Sequence, residues 1–262
     1  MTIRVGVFGA GGRMGSVVCR AVATDPELEL AVGVDPLHAG IDLRHVTGAE
    51  VPGQIAGDAE ALAHARVQVA VDFTNVDAAR GNLAWCAAHG VHAVVGTTGL
   101  TAGDVDDLSR RFTSSNCFIA PNFAIGAVLM MRFAELAAPW FETAEIIELH
   151  HDRKIDAPSG TAMLTASRIA DASGEWAPDP TESIAAEGAR GGVVPGGIRV
   201  HSVRLKGLVA HHEVLFGTTG QSLAIRHDSY DRDSFMPGVL LAVKAVADRP
   251  GVTVGLDAIL GI

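Results

Sequence analysis

The chain has 262 residues, 48% of them hydrophobic, and a formal net charge of −10, enough for one large domain or two small ones with a sizeable core. The acidic balance and the 5% aromatic content exclude a nucleic-acid surface, which needs clustered cations and stacking rings; no apolar run reaches the length of a membrane span. A secretory leader is not expected, and Cys19, Cys86 and Cys117 stand singly with no CxxC pair, which suits small core residues in a reducing cytoplasm.

In chain order, residues 3–8 read as a strand, and from Arg13 the apolar positions Met14, Val17, Val18, Ala21 and Val22 recur at helical spacing. Further strands are expected over 28–34, 67–73, 91–95 and 117–120, with helices over about 76–89 and 102–114. Strands alternating with helices predict an α/β fold, a Rossmann-type doubly wound parallel sheet with right-handed crossovers. No motif is legible between 36 and 66. After Asn122 the pattern changes to a long helix over about 125–141, a strand at 145–149 and a helix opening near Gly160. Residues 173–197, rich in Gly, Pro, Ser and Ala, read as an exposed excursion. Three β-rich runs follow, about 198–204, 209–217 and 221–227, and predict a smaller α+β domain with a mixed or antiparallel sheet. A helix over 235–247 and a last strand near 252–256 close the chain. The organisation expected is a dinucleotide-binding domain over 1–122, with about 232–262 packing back onto it, and a substrate domain over 123–231.

The first strand runs into Gly9, Ala10, Gly11, Gly12, Arg13, Met14 and Gly15, which open the first helix. In a dinucleotide turn the first glycine permits the tight bend and the second lets the backbone approach the diphosphate. The third allows close helix–strand packing, and the helix N-terminus supplies amides and positive dipole. Asp35 ends the second strand, twenty residues after Gly15, where a carboxylate bonds the adenosine ribose hydroxyls; the competing reading is that it merely begins a turn with Pro36. An Asp there favours NADH over NADPH, because it repels a 2′-phosphate, although Arg13 is a cation able to meet either phosphate. The loops Gly96-Thr97-Thr98-Gly99 and Ala120-Pro121-Asn122-Phe123 follow later strands at the carboxyl edge, where ligands of such sheets lie. Each also has a plain reading as strand-to-helix turn chemistry.

The run Glu148-Leu149-His150-His151-Asp152-Arg153-Lys154-Ile155-Asp156-Ala157-Pro158-Ser159-Gly160-Thr161-Ala162 carries the acid–base chemistry. Histidine titrates near neutral pH and lysine supplies a cation or a proton. Ser159, Gly160 and Thr161 at a helix start offer amides and a hydroxyl to a carboxylate. A bound metal is not expected, since neither His150-His151 nor His211-His212 has the spacing or cysteine partners of zinc motifs. His211 and His212 read as structural. Glu148, Asp152 and Asp156 read as a solvated charge cluster without a catalytic role.

Together these segments resemble the 4-hydroxy-tetrahydrodipicolinate reductase (dihydrodipicolinate reductase) family over essentially the whole chain. The likeness runs through VDFT at 71–74, GTTG at 96–99, APNFAIG at 120–126, ELHHDRKIDAPSGTA at 148–162, GLVAHHEVLFG at 207–217 and IRHDS at 225–229. The resemblance implies His150 as the acid–base residue and Lys154 as a second proton donor. It also implies that His151 contacts a cyclic dicarboxylate substrate while Gly160 and Thr161 hold one of its carboxylates. Cofactor contacts would fall on Gly9–Met14, Asp35, Gly96–Thr98 and Ala120–Phe123. The implied reaction is reduction of 4-hydroxy-tetrahydrodipicolinate to tetrahydrodipicolinate with loss of water, using NADH or NADPH. It belongs to diaminopimelate and lysine biosynthesis, and family members are typically homotetramers assembled through the C-terminal sheet. Two other readings stay open: another two-domain amino-acid dehydrogenase, or a dinucleotide sensor without turnover.

Overall fold

A computed structural model describes residues 2–48 and 51–262. The chain divides into two compact units, Met1–Phe123 with Phe235–Ile262, and Ala124–Ser234.

The first unit begins with β1 (Ile3–Phe8), α1 (Gly15–Thr24) and β2 (Leu28–Val34). Two short helices, α2 (Leu43–Thr47) and α3 (Glu60–His64), occupy the stretch in which no motif was legible. Then come β3 (Val69–Asp72), α4 (Val76–Ala88), β4 (His92–Val95), α5 (Ala102–Arg111) and β5 (Cys117–Ile119). Strong caps set the helix starts: Asn75 accepts from the Asp77 and Ala78 amides, and Thr101 with Asp104 forms a reciprocal capping box.

The second unit contains α6 (Ile125–Ala137), β6 (Thr143–His150), α7 (Gly160–Ala172), β7 (Gly192–Val193), β8 (Arg199–Arg204), β9 (Ala210–Thr218) and β10 (Gln221–Ser229). The helix expected over 125–141 ends at Ala137 and tightens into a 3₁₀ turn at Ala138–Trp140, because Pro139 has no amide to continue an α-helix. The chain then returns to the first unit as α8 (Met236–Ala245), β11 (Val252–Val254) and α9 (Asp257–Leu260).

The first unit's sheet has six strands in the order β11-β5-β4-β3-β1-β2, parallel throughout. Strand order reverses at β1, which lies between β2 and β3, so the loop after β1 opens at the topological switch point. Strands buried on both faces read as continuous apolar runs: all four residues of β3 are buried.

The second unit's five-stranded sheet runs β10-β9-β6-β8-β7. It is mixed, with β6 parallel to β8 and antiparallel to β9. Ile146, Val200, Val214 and Phe216 on one face pack against Ala134 of α6 and Ala162, Ala166 and Ile169 of α7. The period of two puts Glu148 and His150 on that same face of β6, beneath the start of α7.

Candidate active site

Within the first unit, the amides of Gly9 and Ala10 donate to the Val34 carbonyl at 2.7 and 3.2 Å, tying the turn after β1 to the end of β2. Gly9 takes φ +71°, the left-handed region that favours glycine. The Gly12 amide donates to the Gly9 carbonyl at 2.9 Å. A Cβ on Gly15 would lie 2.0 Å from the Gly9 oxygen, so only glycine lets α1 start this close to the turn. Arg13 is exposed, and Met14 caps α1 without a side-chain bond.

Asp35 is buried, accepting from the Gly11 amide at 3.0 Å and from the Leu37 amide at 3.0 Å. His38 Nδ1 lies 3.1 Å from its Oδ2. Asp35 therefore opens the Pro36 turn and also braces the glycine turn. Its oxygens retain lone-pair sites for hydroxyl donors. Beside it lies a cavity of about 610 Å³ lined by Gly9, Gly12, Asp35, Asp58, Phe73 and Thr74 among others, within the size range of cofactor sites. The glycine turn, the carboxylate at the end of β2 and this cavity fit a nicotinamide dinucleotide.

The loops after β3 and β4 are held by one buried carboxylate. Asp72, at the end of β3, accepts from the Thr74 amide, Thr74 Oγ1 and Thr97 Oγ1 at 2.9, 2.7 and 2.8 Å, and from Asn82 Nδ2 at 2.7 Å. A Cβ on Gly96 would meet the Phe73 ring at 2.0 Å, so that glycine is there for packing. Thr98 and Pro121 are exposed, and Asn122 is half-buried. Ala120 and Phe123 are buried; the Phe123 ring packs on Phe73 and Phe118 at centroid distances of 5.7 and 6.3 Å. The Phe123 side chain is thus core, leaving its backbone for any ligand.

In the second unit, His150 ends β6 with its Nδ1 2.5 Å from Glu148 Oε2. Glu148 is fully buried, which corrects its reading as part of a solvated cluster. It also accepts two bonds from the Arg204 guanidinium, at 2.9 and 2.8 Å, and one from the Ser159 amide at 3.3 Å. The sequence hid this because Arg204 lies 56 positions away and is brought in by β6–β8 pairing, which sets His150 opposite Arg204. Burial raises the carboxyl's proton affinity, but hydrogen bonds from His150, Arg204 and Ser202 outweigh it and hold Glu148 well below the usual carboxylate range.

Lys154 pairs with Asp156 at 2.8 Å, while Asp152 is exposed. His151 is half-buried, its Nδ1 sequestered without a hydrogen-bond partner. Ser159 caps α7, accepting from the Ala162 amide at 3.2 Å. A Cβ on Gly160 would meet nothing within 4 Å, so the first turn of α7 opens onto free space. His150, Ser159 and the α7 N-terminus are brought together through Glu148, which sets an imidazole beside the open first turn of a helix.

His211 and His212 are both buried. His211 bonds Asp228 at 2.6 Å, whereas His212 Nε2 has no partner. Among the described residues no group of three or more His, Cys, Asp and Glu side chains could hold a metal ion. Burial pushes the His212 imidazole down from 6.5 to about 4, with Glu148 opposing the shift. A folded-state value below the unfolded one means that the neutral form is preferred on folding. Its contribution is therefore complete above pH 6.5 and is lost as pH falls towards 4, by up to about 3 kcal/mol. Denaturant titrations across this window should show a shallower acid loss in His212→Gln than in the wild type.

Residues 3–123 match the family described as dihydrodipicolinate reductase, N-terminus, and residues 126–260 match dihydrodipicolinate reductase, C-terminus. The chain belongs to the dihydrodipicolinate reductase family. Among relatives in that family, the 4-hydroxy-tetrahydrodipicolinate reductase of Nocardia farcinica is 51% identical, with 100% of each chain covered. That of Cutibacterium acnes is 49% identical, with 99% of each covered. A dipicolinate-bound dihydrodipicolinate reductase from Paenisporosarcina sp. TG-14 superposes with a TM-score of 0.85 at 39% identity, covering 98% of this chain and 99% of that one. An amine dehydrogenase from Mycobacterium smegmatis, 15% identical with a TM-score of 0.66, covers 97% of this chain and 95% of that one and shares the fold alone. Among the described residues no helix is long and apolar enough to cross a membrane.

Proposed function

We propose that the protein reduces 4-hydroxy-tetrahydrodipicolinate to tetrahydrodipicolinate in diaminopimelate and lysine biosynthesis. One hydride and one proton enter the substrate, and one water leaves. Membership of the family supports this reading, and the single observation that carries it is the buried Glu148–His150 pair set against the α7 N-terminus.

Gly9, Ala10, Gly11, Gly12, Arg13 and Met14 would hold the dinucleotide diphosphate and Asp35 its ribose. Gly96, Thr97 and Thr98, with Ala120, Pro121, Asn122 and the Phe123 backbone, would line the nicotinamide side. When bound, the reduced nicotinamide supplies a hydride from its C4. The substrate, like the dipicolinate of the Paenisporosarcina complex, is a ring bearing two carboxylates. Ser159, Gly160 and Thr161 would seat one of them on the α7 amides and dipole, and His151 would contact the ring. His150 is held by Glu148 on its Nδ1 side, so Nε2 is the ring nitrogen that exchanges a proton with substrate. Lys154 would be a second proton donor, relaying the single net proton with His150, and Asp156 keeps its ammonium in place.

Purified protein should oxidise NADH or NADPH when given the product of dihydrodipicolinate synthase. It should be inert with aspartate or homoserine, the substrates an amino-acid dehydrogenase would take. Cofactor binding without any turnover would favour the sensor instead.

NADH should bind about tenfold more tightly than NADPH. Among the described residues the cavity is lined by Asp35 and Asp58 and by no Lys or Arg, so a 2′-phosphate there faces two carboxylates; Arg13 is the nearby turn residue that moderates the gap. Fluorescence titration of each reduced dinucleotide measures this, and Asp35→Asn should narrow the difference. Tighter binding of NADPH than NADH would contradict it.

The buried, unpaired Cys19, Cys86 and Cys117 support action in the cytoplasm, with burial pushing the Cys19 thiol up to about 12. Copies should assemble as a homotetramer through the second unit's sheet. Ile147, Leu149 and Leu215 are half-buried and Val203 is exposed; all four alternate with the core-facing positions, so they lie on the face away from α6 and α7. Light scattering coupled to gel filtration reads the mass, and a monomer would contradict the assembly.

A further inference from the structure

Glu148 satisfies more donors than a single brace requires. Its Oε2 takes His150 Nδ1 and one Arg204 nitrogen, and its Oε1 takes the other Arg204 nitrogen and the Ser159 amide. We infer that Glu148 is a positioning residue, which holds the His150 imidazole in one tautomer and fixes that imidazole relative to the anion seat at the start of α7. The inference rests on the reductase reading only for the role it gives His150.

An ionised carboxylate can only accept hydrogen bonds, and a neutral imidazole carries one N–H. The pair with Glu148 therefore places the imidazole proton on Nδ1 and the lone pair on Nε2. Arg204 supports this state in two ways. Its guanidinium forks onto both Glu148 oxygens, and one of its nitrogens donates to the Asp156 carbonyl at 2.6 Å. Asp156 in turn pairs with Lys154, so both proposed proton donors connect to the same guanidinium.

The Ser159 contact extends the arrangement to binding. The residue whose side chain caps α7 gives its own amide to Glu148, which sets the helix start, and the Gly160 amide with it, at a fixed place relative to His150. Among the described residues, Glu148 on β6, Arg204 on β8 and His212 on β9 surround the pair, and Arg204 reaches the Lys154–Asp156 pair on the loop after β6. Directly opposite Glu148 in the β6–β9 register stands His212, kept neutral by its burial. That leaves Arg204 as the cation bonded to the carboxylate.

Glutamine at 148 is nearly isosteric but has one accepting oxygen and a donating NH₂, so it cannot serve His150, Arg204 and Ser159 together. The test is the ¹⁵N spectrum of the His150 imidazole in the whole protein without ligand, alongside steady-state kinetics. Wild type should show the Nδ1-protonated neutral tautomer. Glu148→Gln should lose it and lower kcat about 10²-fold, with KM for the dinucleotide changed less than about twofold. Arg204→Gln should keep the tautomer, because Glu148 still accepts from Nδ1.

An Nε2-protonated tautomer in wild type overturns the inference even if Glu148→Gln does not fold. So does an Arg204→Gln spectrum shifted as far as that of Glu148→Gln, which would make Glu148 a structural brace. Absence of turnover with an Nδ1-protonated spectrum would instead fail the reductase reading and leave the positioning intact.

Discussion

Replacing His150 by glutamine lowers kcat by about 10²- to 10³-fold, the range lost with a positioned acid–base group. The dinucleotide Kd stays within about twofold, since the glycine turn is held by its own bonds to Val34, Gly9 and Asp35. Folding should survive. The imidazole is 16% exposed at the end of β6, and a glutamine amide can donate to Glu148 in place of Nδ1–H. Glu148 also keeps both guanidinium bonds from Arg204, so no buried charge is orphaned. Steady-state kinetics with circular dichroism separates the two effects. A variant with unchanged kcat would remove His150 from the chemistry.

Gly15→Ala should be the most damaging small change in the dinucleotide turn. The added Cβ would lie 2.0 Å from the Gly9 oxygen, 2.6 Å from the Gly9 carbonyl carbon and 3.0 Å from the Ala10 Cα. All three are backbone atoms, so no side chain can swing aside and the turn itself must open. We expect a loss of about 3 kcal/mol in stability and an increase of about 10²-fold or more in the Kd for NADH. Gly81→Ala serves as control, since its Cβ would meet nothing within 4 Å on α4 and alanine suits a helix interior better than glycine. Urea unfolding and fluorescence titration read both quantities. Wild-type affinity in Gly15→Ala would show that the turn does not seat the dinucleotide.

Much of the fold was legible because burial sets the hydrophobic period. The strands at 3–8 and 28–34 come out at the expected residues. The later β-rich runs fall within a few residues of β8, β9 and β10. What stayed hidden was short or non-local. The helices Leu43–Thr47 and Glu60–His64 span five residues each, little more than one turn, so no apolar stripe can repeat. The helix expected over 102–114 stops at Arg111, where Phe112 turns into the core.

The candidate site divides in the same way. The glycine turn and Asp35 were readable because their contacts are close in sequence or follow a known spacing. Glu148 was misread because a carboxylate beside other charges in sequence resembles a solvated cluster. Its burial comes from α7 lying over β6, and its partner comes from a strand far along the chain. Asp72 was passed over for a related reason: its partners Thr74, Asn82 and Thr97 lie on two loops and on α4, which only the parallel sheet brings to one edge.

The most direct test of the central claim follows the hydride itself. NADH deuterated at the transferable C4 position is supplied with freshly generated 4-hydroxy-tetrahydrodipicolinate, and the recovered tetrahydrodipicolinate is weighed by mass spectrometry. The account predicts a ring carrying one deuterium, formed by wild type and nearly absent with His150→Gln. An unlabelled product, or no consumption of either reduced dinucleotide with this substrate, would contradict it.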